Sequence, residues 1–318
     1  MQQHIINFLK KSKGHISGEE ISRSVDISRA AIWKYIQELR KEGYEIEAVP
    51  HLGYKLIALP DKLLAHEVQF DLKTKIIGCK VFYHESLSST MDEAFKLGME
   101  GAPEGTVVCA EMQTKGRGRL GRSWVSPKYK GIYCSIILRP KLSPSDLAKL
   151  TLLSAVAVAE AVEKSAGIQA MIKWPNDLLI KNKKLAGILT ELRAEVDQMK
   201  FVVIGIGLNV NNTSAQLVEG ATSLKNETSQ SFSRVEILQE ILRAFERWYI
   251  RCHHGDFEAV LLAWKDRAHT LGKRVRVTDP ASVTEGVAVD LDHDGGLLIR
   301  QDSGVVVKKM AGDVVQLR

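Results

Sequence analysis

The segment EMQTKGRGRLGRSWVSP, residues 111–127, combines four basic side chains with three closely spaced glycines. The glycines fit the G-x-G-x-x-G spacing of dinucleotide-binding loops, which also require a following helix and an acid about twenty residues later. Instead, the next residues are SWVSPKYKG, with a proline and turn formers, and the basic RPK lies where the acid is needed. A Walker A loop is excluded as well, because no Gly-Lys-Ser/Thr follows.

Residues 115–122, called the arginine loop below, can instead be a nucleic-acid arm or an anion clamp. The loop lies between two predicted strands, TVVCAE and GIYCSIILR, which favours a place inside a folded domain. Glycines let the backbone approach a ligand, and guanidinium groups bind phosphate or carboxylate oxygens in pairs. We therefore predict an anion-binding loop that becomes ordered when its ligand neutralises it.

A length of 318 residues predicts two or three domains, and 45% hydrophobic with 26% charged residues is typical of globular proteins. The net charge of +6 is compatible with a polyanionic partner. No apolar run is long enough for a signal core or a membrane span, so we expect a cytoplasmic protein without a membrane partner. The cysteines form no C-x-x-C pair and predict neither zinc nor disulfides: Cys79, Cys109, Cys134 and Cys252.

The N-terminal segment, residues 1–62, predicts three helices followed by a two-stranded hairpin. The helices are HIINFLKK, SGEEISRSV and RAAIWKYIQELRKEG, and the strands YEIEAV and YKLIAL flank the turn PHLG. Ser17 and Ser28 are the predicted N-caps of the second and third helices. This order is typical of a winged helix-turn-helix, whose third helix enters the major groove of DNA. A small three-helix domain for protein contacts is the alternative. The residues predicted to contact DNA are Arg23, Ser28, Arg29, Ala30, Trp33 and Lys34.

The remainder of the chain predicts an α+β, multidomain protein. The segment PDKLLAHEVQF is a predicted linker helix. Residues 63–269 mix strands and long helices in a way that favours a mixed α/β sheet domain, and residues 270–318 have the pattern of short strands of a small SH3-like β-barrel. Within the sheet domain, KWPNDLLIKNKKLAGILTEL presents polar residues before a strand and returns through a lysine-rich hairpin. SST begins a helix, where capping is the simplest role, and GIGLNVN ends a strand with two glycines.

The motifs GRGRLGRSW, KWPNDLL, KKLAGILTE, SST and GIGLNVN occur in the order found in biotin protein ligases. With its N-terminal segment, the whole chain resembles the bifunctional members of that family that also act as biotin-operon repressors. The resemblance implies that biotin and ATP form biotinyl-5′-AMP, with Mg²⁺ on the phosphates. It implies transfer of biotin to a lysine of a biotin carboxyl carrier domain, as on acetyl-CoA carboxylase. It also implies an adenylate-dependent homodimer that binds operator DNA.

The resemblance assigns roles to individual positions. Lys184, Arg119 and Arg117 are the implied catalytic residues, and Asp177 is the candidate for orienting Mg²⁺. The implied biotin-binding residues are Ser89, Thr90, Gln113, Gly116, Arg117, Gly118, Arg119, Trp124, Lys184, Gly187, Gly205 and Gly207. The implied ATP-binding residues are Arg119, Arg122, Asn176, Asp177, Lys184, Asn209 and Arg318, with the loop NTSAQLVEGATSL over the adenine.

Two positions depart from the family pattern. Leu120 stands where the best-known member has another arginine, and Met91 follows Ser-Thr where asparagine is common. Three other functions stay open at this point: a lipoate or octanoate transferase of the same superfamily, a ligand-responsive repressor without activity, and a monofunctional ligase with a vestigial DNA-binding domain. A lipoate or octanoate transferase would not account for the N-terminal helix-turn-helix pattern. A repressor without activity would not account for the presence of both Lys184 and the arginine loop.

Overall fold

The computed structural model describes residues 1–12, 14–140, 146–195, 198–280 and 282–317. The chain divides into two compact units, residues 1–62 and 63–318. No helix among these described residues is long and apolar enough to cross a membrane.

The first unit has the predicted order of three helices and a hairpin. Its elements are α1 (Gln2–Lys11), α2 (Gly18–Val25), α3 (Arg29–Glu42), β1 (Glu45–Val49) and β2 (Gly53–Ala58). The predicted caps are confirmed, because Ser17 Oγ accepts from Glu20 N and Ser28 Oγ accepts from Ala31 N. Each cap stabilises its helix by about 1 kcal/mol. Ile32, Ile36 and Leu39 form the buried face of α3, as their helical spacing predicts.

The second unit is built on a seven-stranded mixed sheet with the order β3-β4-β5-β9-β8-β7-β6. Its strands are β3 (Val81–His84), β4 (Val107–Ala110), β5 (Gly131–Leu138), β6 (Met171–Lys173), β7 (Asp177–Ile180), β8 (Lys183–Glu195) and β9 (Gln198–Asn209). The helices are α4 (Ala65–Gln69), α5 (Thr90–Met99), α6 (Leu147–Ala166), α7 (Leu224–Thr228), α8 (Arg234–His253) and α9 (Phe257–Lys265). Only β3 and β4 are parallel among the paired strands described.

The two faces of this sheet bury different sets of side chains. Along β9, Val202, Ile204 and Ile206 join the main core with α6 and α8, whereas Phe201 and Val203 pack with α5. Alternate residues of a strand point to opposite faces. Gly205 and Gly207 therefore continue the face of Phe201 and Val203, so beyond α5 the floor of the sheet is bare backbone. That bare floor is where a ligand can lie.

A five-stranded antiparallel sheet completes the second unit, in the order β13-β12-β11-β10-β14. Its strands are β10 (Arg274–Thr278), β11 (Val283–Leu291), β12 (Leu297–Arg300), β13 (Val306–Lys309) and β14 (Asp313–Gln316). Strand β14 and helix α9 were not among the predicted elements, and the predicted helix over PDKLLAHEVQF is only the short α4. Val275, Ala288 and Ile299 belong to the same hydrophobic cluster as α6 and the large sheet.

A buried ion pair ties helix α8 to the strands that lead into the arginine loop. Arg234 Nη1 lies 2.6 Å from Glu111 Oε2, and both side chains are fully buried. Arg234 also donates to the carbonyl of Gly131 at 3.1 Å, and Glu111 Oε1 accepts from the Leu63 amide at 2.8 Å. Removing one partner would leave a buried charge uncompensated, which costs about 3–5 kcal/mol.

Candidate functional site

Glycines on neighbouring strands leave space for one aromatic side chain above the sheet. Gly187 of β8 is the register partner of Gly207 of β9. A Cβ atom on Gly207 would lie 2.5 Å from Trp124 Cε2, and one on Gly187 would lie 3.1 Å from Trp124 Cζ3. A Cβ at position 207 would therefore displace the indole, whereas one at position 187 would make a tight contact that a small shift of the ring relieves. The result is a flat apolar slot between Trp124 and the sheet.

The start of α5 supplies polar groups beside that slot. Ser89 caps α5, because its Oγ accepts from the Met91 amide at 3.2 Å. Gln113 Oε1 accepts from Thr90 N at 2.9 Å and from Thr90 Oγ1 at 3.1 Å, while Gln113 Nε2 donates to Ser126 Oγ at 3.0 Å. Ser135 Oγ donates to Thr90 Oγ1 at 2.8 Å. This network fixes the orientation of Thr90 and Gln113 at the edge of the cavity.

Internal backbone bonds give the arginine loop a defined shape. Gly118 N donates to the Arg122 carbonyl at 2.7 Å, and Trp124 N donates to the Gly116 carbonyl at 2.8 Å. Leu120 adopts a left-handed conformation with φ 55°, and its side chain is 65% exposed. The side chain at position 120 therefore points away from the protein core. A Cβ on Gly116 would lie 2.4 Å from the Trp124 carbonyl oxygen, so this glycine shapes the loop.

Each arginine of the loop has a partner outside it. Arg117 Nη2 lies 2.9 Å from Asp92 Oδ1 and 3.2 Å from Glu191 Oε2. Arg122 forms a two-pronged pair with Asp313, which begins β14. These contacts offset the repulsion among the arginines.

Arg119 is the arginine that reaches furthest inward. Its Nη1 donates to Asn176 Oδ1 at 3.0 Å and its Nη2 donates to the Gly312 carbonyl at 3.1 Å. Burial lowers the pKa of this guanidinium, which nevertheless stays charged at neutral pH. In the part of the chain that the structure describes, the hydrogen bonds of Arg119 go to neutral oxygens, and a partly buried cation of this kind is suited to an incoming anion.

Asp177 of the KWPND segment and Lys184 of β8 lie side by side in one wall of the cavity. Lys184 Nζ lies 2.6 Å from Asp177 Oδ1, as an ion pair without good hydrogen-bond alignment, and 5.6 Å from the centroid of the Trp124 ring. Asn176 Nδ2 donates to the Ile188 carbonyl at 2.8 Å. Asn176 is thereby fixed in place, with its oxygen directed toward Arg119. The lysine is placed between the apolar slot and the arginine loop.

A single cavity of about 370 Å³ joins these parts. Of the residues predicted for biotin or ATP, it is lined by Ser89, Thr90, Gln113, Arg117, Gly118, Arg119, Arg122, Trp124, Asn176, Asp177, Lys184, Gly187, Gly205, Gly207 and Asn209. The segment Leu217–Ala221 also lines it, within the loop predicted to cover the adenine. Gly116 does not line the cavity, and Arg318 lies outside the described residues.

The lining residues that were not among the predicted site residues are Met91, Ser123, Val125, Cys134, Ile188, Leu189, Ile206 and Asp313. Cys134 is part of a fully buried strand and carries no local signal for a site. Asp313 reaches the arginine loop only because β14 pairs with β10 at the edge of the second sheet. Asn209 Nδ2 donates to the Thr222 carbonyl at 3.0 Å, so its amide supports the covering loop from below.

The first unit presents a separate candidate surface on α3, the turn before it and the last turn of α2. The predicted DNA-binding residues are all exposed: Arg23, Ser28, Arg29, Ala30, Trp33 and Lys34. Trp33 is 59% exposed, which is unusual for a tryptophan in a small domain. Glu19 pairs with both Arg23 and Arg29. The surface therefore combines cations with an apolar ring opposite the buried face of α3.

Comparisons with known proteins agree with this architecture. Residues 83–209 match the biotin/lipoate A/B protein ligase family, residues 1–55 match an HTH domain, and residues 270–316 match the biotin protein ligase C-terminal domain. These matches define the class of protein as a ligase with an attached helix-turn-helix domain.

Full-length relatives narrow the assignment. The chain is 43% identical over 302 residues to "Bifunctional ligase/repressor BirA" of Bacillus subtilis, covering 94% of this chain and 93% of that protein. The protein of the same name from Escherichia coli is 28% identical over 320 residues, covering 98% and 95%. The chain therefore belongs to the biotin protein ligase family. A solved structure of biotin protein ligase from Aquifex aeolicus, in complex with biotin and ATP, aligns with a TM-score of 0.65 and 29% identity, over 76% of this chain and 99% of that one.

Proposed function

We propose that this protein is an ATP-dependent biotin ligase that also represses transcription of biotin genes. The observation that supports it best is one cavity in which an apolar slot adjoins Lys184, Arg119 and Arg122. A carboxylic acid and a nucleotide are both anions, and cations are needed to bring them together. The slot fits the uncharged bicyclic part of biotin, and the cationic end fits its carboxylate and the phosphates of ATP.

The reaction has two steps. In the first, a carboxylate oxygen of biotin attacks the α-phosphorus of ATP, the bond to the β-phosphate oxygen breaks, and pyrophosphate leaves. Lys184 and Arg119 stabilise the charge on the pentacoordinate phosphorus, and Arg117 orients the carboxylate. In the second step, the acceptor lysine amine attacks the acyl carbon of biotinyl-5′-AMP. The bond to the phosphate oxygen breaks, AMP leaves, and the amine loses a proton.

The remaining predicted residues surround the two substrates. Thr90, Ser89 and Gln113 are placed to hydrogen-bond the ureido ring, Trp124 covers it, and the glycine floor lies beneath it. On the nucleotide side, Asn176 orients Arg119, and Asn209 supports the segment Leu217–Ala221 over the adenine. Asp313 retains the arginine loop through Arg122.

Magnesium fits the wall at Asp177. Mg²⁺ is usually bound by one or two carboxylates together with substrate phosphates. Asp177 offers a carboxylate of that kind at the cationic end, where Lys184 now pairs with it. The bound ion would neutralise charge on the β and γ phosphates. Among the described residues, Asp292, His293 and Asp294 form another cluster of possible metal ligands, but none of them lines the cavity, and Asp292 and Asp294 pair with Lys308.

Each of three domains has its own part in the proposed function. Residues 1–62 form the winged helix-turn-helix, residues 63–269 the catalytic domain, and residues 270–318 an SH3-like barrel built on the five-stranded sheet. The biotin acceptor is a biotin carboxyl carrier domain, as on acetyl-CoA carboxylase. The adenylate favours a homodimer, and its paired α3 helices bind a two-fold symmetric operator.

Pyrophosphate exchange tests the ligase activity. Purified protein should exchange labelled pyrophosphate into ATP when biotin is present, and should then biotinylate an acceptor domain. Lipoate serves as the matched control, because it is also a carboxylic acid with a sulfur ring. Equal exchange with lipoate would contradict the assignment to biotin.

Operator binding tests the repressor activity. Biotin with ATP should tighten binding to the protein's own promoter DNA, with a salt dependence typical of phosphate contacts. Trp33→Ala should weaken this binding by about 1–2 kcal/mol, as expected for an exposed contact residue, and should leave biotinylation unchanged. Absence of operator binding by the wild-type protein, together with normal biotinylation, would instead support the monofunctional ligase.

A further inference from the structure

The hydrogen bonds around Thr90 can run in one direction only. The backbone N–H of Thr90 is always a donor, so the atom of Gln113 that lies 2.9 Å from it is the amide oxygen Oε1. The Thr90 hydroxyl lies 3.1 Å from the same oxygen and must donate its proton, because Oε1 has none to give. Ser135 Oγ lies 2.8 Å from Thr90 Oγ1 and must be the donor of that bond, since the one proton of Thr90 is already used.

The same three contacts determine what Thr90 offers to a ligand. A hydroxyl group has one proton and two lone pairs. The proton of Thr90 goes to Gln113, and one lone pair accepts from Ser135. The second lone pair is left, and Thr90 lines the active-site cavity. Thr90 therefore presents an acceptor to a molecule in the cavity.

The neighbouring Ser89 has the opposite polarity. Its Oγ accepts from the Met91 amide at 3.2 Å. In the hydrogen bonds of the described residues, the hydroxyl proton of Ser89 has no protein acceptor. Ser89 also lines the cavity. A donor at Ser89 and an acceptor at Thr90 thus lie on consecutive residues, and a cyclic urea, with a carbonyl beside an N–H, matches them.

Ser135 supports this arrangement from outside the cavity. It is fully buried on β5 and is not among the residues that line the cavity. Its neighbours Cys134 and Ile136 belong to the main core, so Ser135 points to the face that carries the glycine floor. Strand β5 is paired with β4 on one side and with β9 on the other, where Gly205 is the register partner of Ser135. The hydroxyl of Ser135 is therefore held by the interior of the sheet.

We propose that Ser135 is a positioning residue that holds the Thr90 hydroxyl as an acceptor, and that it thereby makes the cavity select a cyclic urea with an N–H facing Thr90. The proposal rests on the proposed ligase function, and it assigns part of the specificity for biotin to a residue that lies outside the cavity. The bond from Ser135 restricts rotation of the hydroxyl and polarises it, which strengthens the remaining lone pair as an acceptor.

The decisive measurement compares biotin with two analogues, in which one or the other ureido N–H is replaced by oxygen. Both cyclic carbamates keep the ring and its carbonyl. The isomer whose oxygen faces Thr90 should bind wild-type protein about 10- to 100-fold more weakly than biotin, because two acceptors then face each other. Ser135→Ala should raise the dissociation constants of biotin and of the other isomer about 5- to 10-fold, and should leave that of the Thr90-facing isomer unchanged.

A double-mutant cycle tests the same coupling with biotin alone. Thr90→Val removes the hydroxyl and keeps the shape of the side chain. In that background, Ser135→Ala should cause no further loss of biotin affinity, because Ser135 acts through the hydroxyl that is gone.

Two further variants separate the donor of Ser135 from its packing. Ser135→Cys keeps a side chain of similar shape with a weaker donor, so its affinity for biotin should lie between those of wild type and Ser135→Ala. Ser154→Ala is the matched control, because Ser154 is equally buried and donates to the Leu150 carbonyl at 2.6 Å within α6, away from the cavity. Its affinity for biotin should equal that of wild type.

Three results would overturn the proposal. One is an equal loss for biotin and both carbamates in Ser135→Ala, which would give Ser135 a structural role only. Another is the same effect of Ser135→Ala with and without the Thr90 hydroxyl. The third needs no variant to fold: wild-type protein that binds both carbamates as tightly as biotin. Failure of the ligase function itself looks different, because wild-type protein would then show neither biotin binding nor biotin-dependent pyrophosphate exchange.

Discussion

The two ends of the active-site cavity differ in how they are prepared for a ligand. At the apolar end, Gly187 and Gly207 leave room for Trp124, so the shape is fixed by the absence of side chains. At the cationic end, Arg122 pairs with Asp313 and Lys184 pairs with Asp177. The first end is a preformed slot, whereas the second is a set of ion pairs whose acids occupy the place of ligand anions.

This difference predicts different responses to a ligand. Partly exposed ion pairs contribute about 0–1 kcal/mol each, so a phosphate can replace a carboxylate partner at low cost. In the apolar slot no partner can be replaced in this way, because the backbone beneath the indole cannot move without disturbing the sheet. Changes at the apolar end should therefore affect biotin affinity, and changes at the cationic end should affect the reaction and the retention of the adenylate.

The largest effect is expected at Lys184. Lys184→Met keeps an aliphatic chain near Trp124 but removes the charge beside the reacting phosphate. Adenylate formation should slow by about 100- to 1000-fold, the usual loss when one stabilising donor is removed from a transition state. The dissociation constant of biotin should stay close to wild type. The measurement is single-turnover formation of biotinyl-5′-AMP, with Lys183→Met as the matched control of equal charge.

A near-normal rate for Lys184→Met would remove this residue from the reaction. A large loss of biotin affinity with a normal rate would erase the distinction between the two ends.

A smaller effect is expected when the apolar slot is filled. Gly207→Ala places a Cβ atom 2.5 Å from Trp124 Cε2, and the indole must shift. Overpacking of this kind costs about 1–3 kcal/mol, so biotin should bind about 10- to 100-fold more weakly. The KM for ATP, measured at saturating biotin, should change little. Calorimetric titration with biotin provides the affinity.

Gly205→Ala is the informative comparison for Gly207→Ala. Its Cβ would lie 2.6 Å from Met91 Sδ, which is part of a flexible side chain that can move. Biotin affinity should therefore fall less than in Gly207→Ala. An equal loss in both variants would mean that the sheet floor, and not contact with Trp124, sets the affinity.

Local patterns in the sequence were sufficient for most elements, whereas the motif residues that line the cavity were assigned through the family resemblance. Helical spacing of Ile32, Ile36 and Leu39 predicted the buried face of α3, and the caps at Ser17 and Ser28 are confirmed. These features depend on neighbours a few positions apart in the chain, where periodicity and capping rules apply.

Long-range partners were not predictable in the same way. Glu111 and Arg234 are 123 positions apart, and Arg122 and Asp313 are 191 apart. Periodicity indicates which face of a strand is buried, but it does not indicate which other segment covers that face. Asp313 enters the cavity through the pairing of β14 with β10, and β14 itself was missed. The sequence thus predicted the cations of the site, while their protein partners required the fold.

The ion pair between Arg122 and Asp313 should have a modest effect on retention of the adenylate. Asp313→Asn removes the carboxylate charge that holds the arginine loop against β14. Biotinyl-5′-AMP should dissociate about 1.4- to 5-fold faster, as expected for a partly exposed pair of about 0.2–1 kcal/mol. Asp302→Asn is the matched control, since Asp302 forms a similar two-pronged pair with Arg274 away from the cavity. Equal release rates in the two variants would mean that the loop is retained without Asp313.

The smallest effect should appear in the pH dependence of that release. The hydrogen bond from Arg122 lowers the pKa of Asp313 below the ordinary carboxyl value of 3.8. A group whose pKa is lowered in the folded protein contributes its stabilisation above the ordinary value and loses it as the pH falls through the lowered one. The ion pair is therefore intact from about pH 5 to 8, and its contribution to release should be constant across that range. Stopped-flow release rates of wild type divided by those of Asp313→Asn isolate this contribution. If this ratio of release rates instead rose toward 1 as the pH fell from about 6 to 5, the pKa of Asp313 would lie above the ordinary carboxyl value. A hydrogen bond from Arg122 lowers the pKa, so Arg122 could then not be the main partner of Asp313.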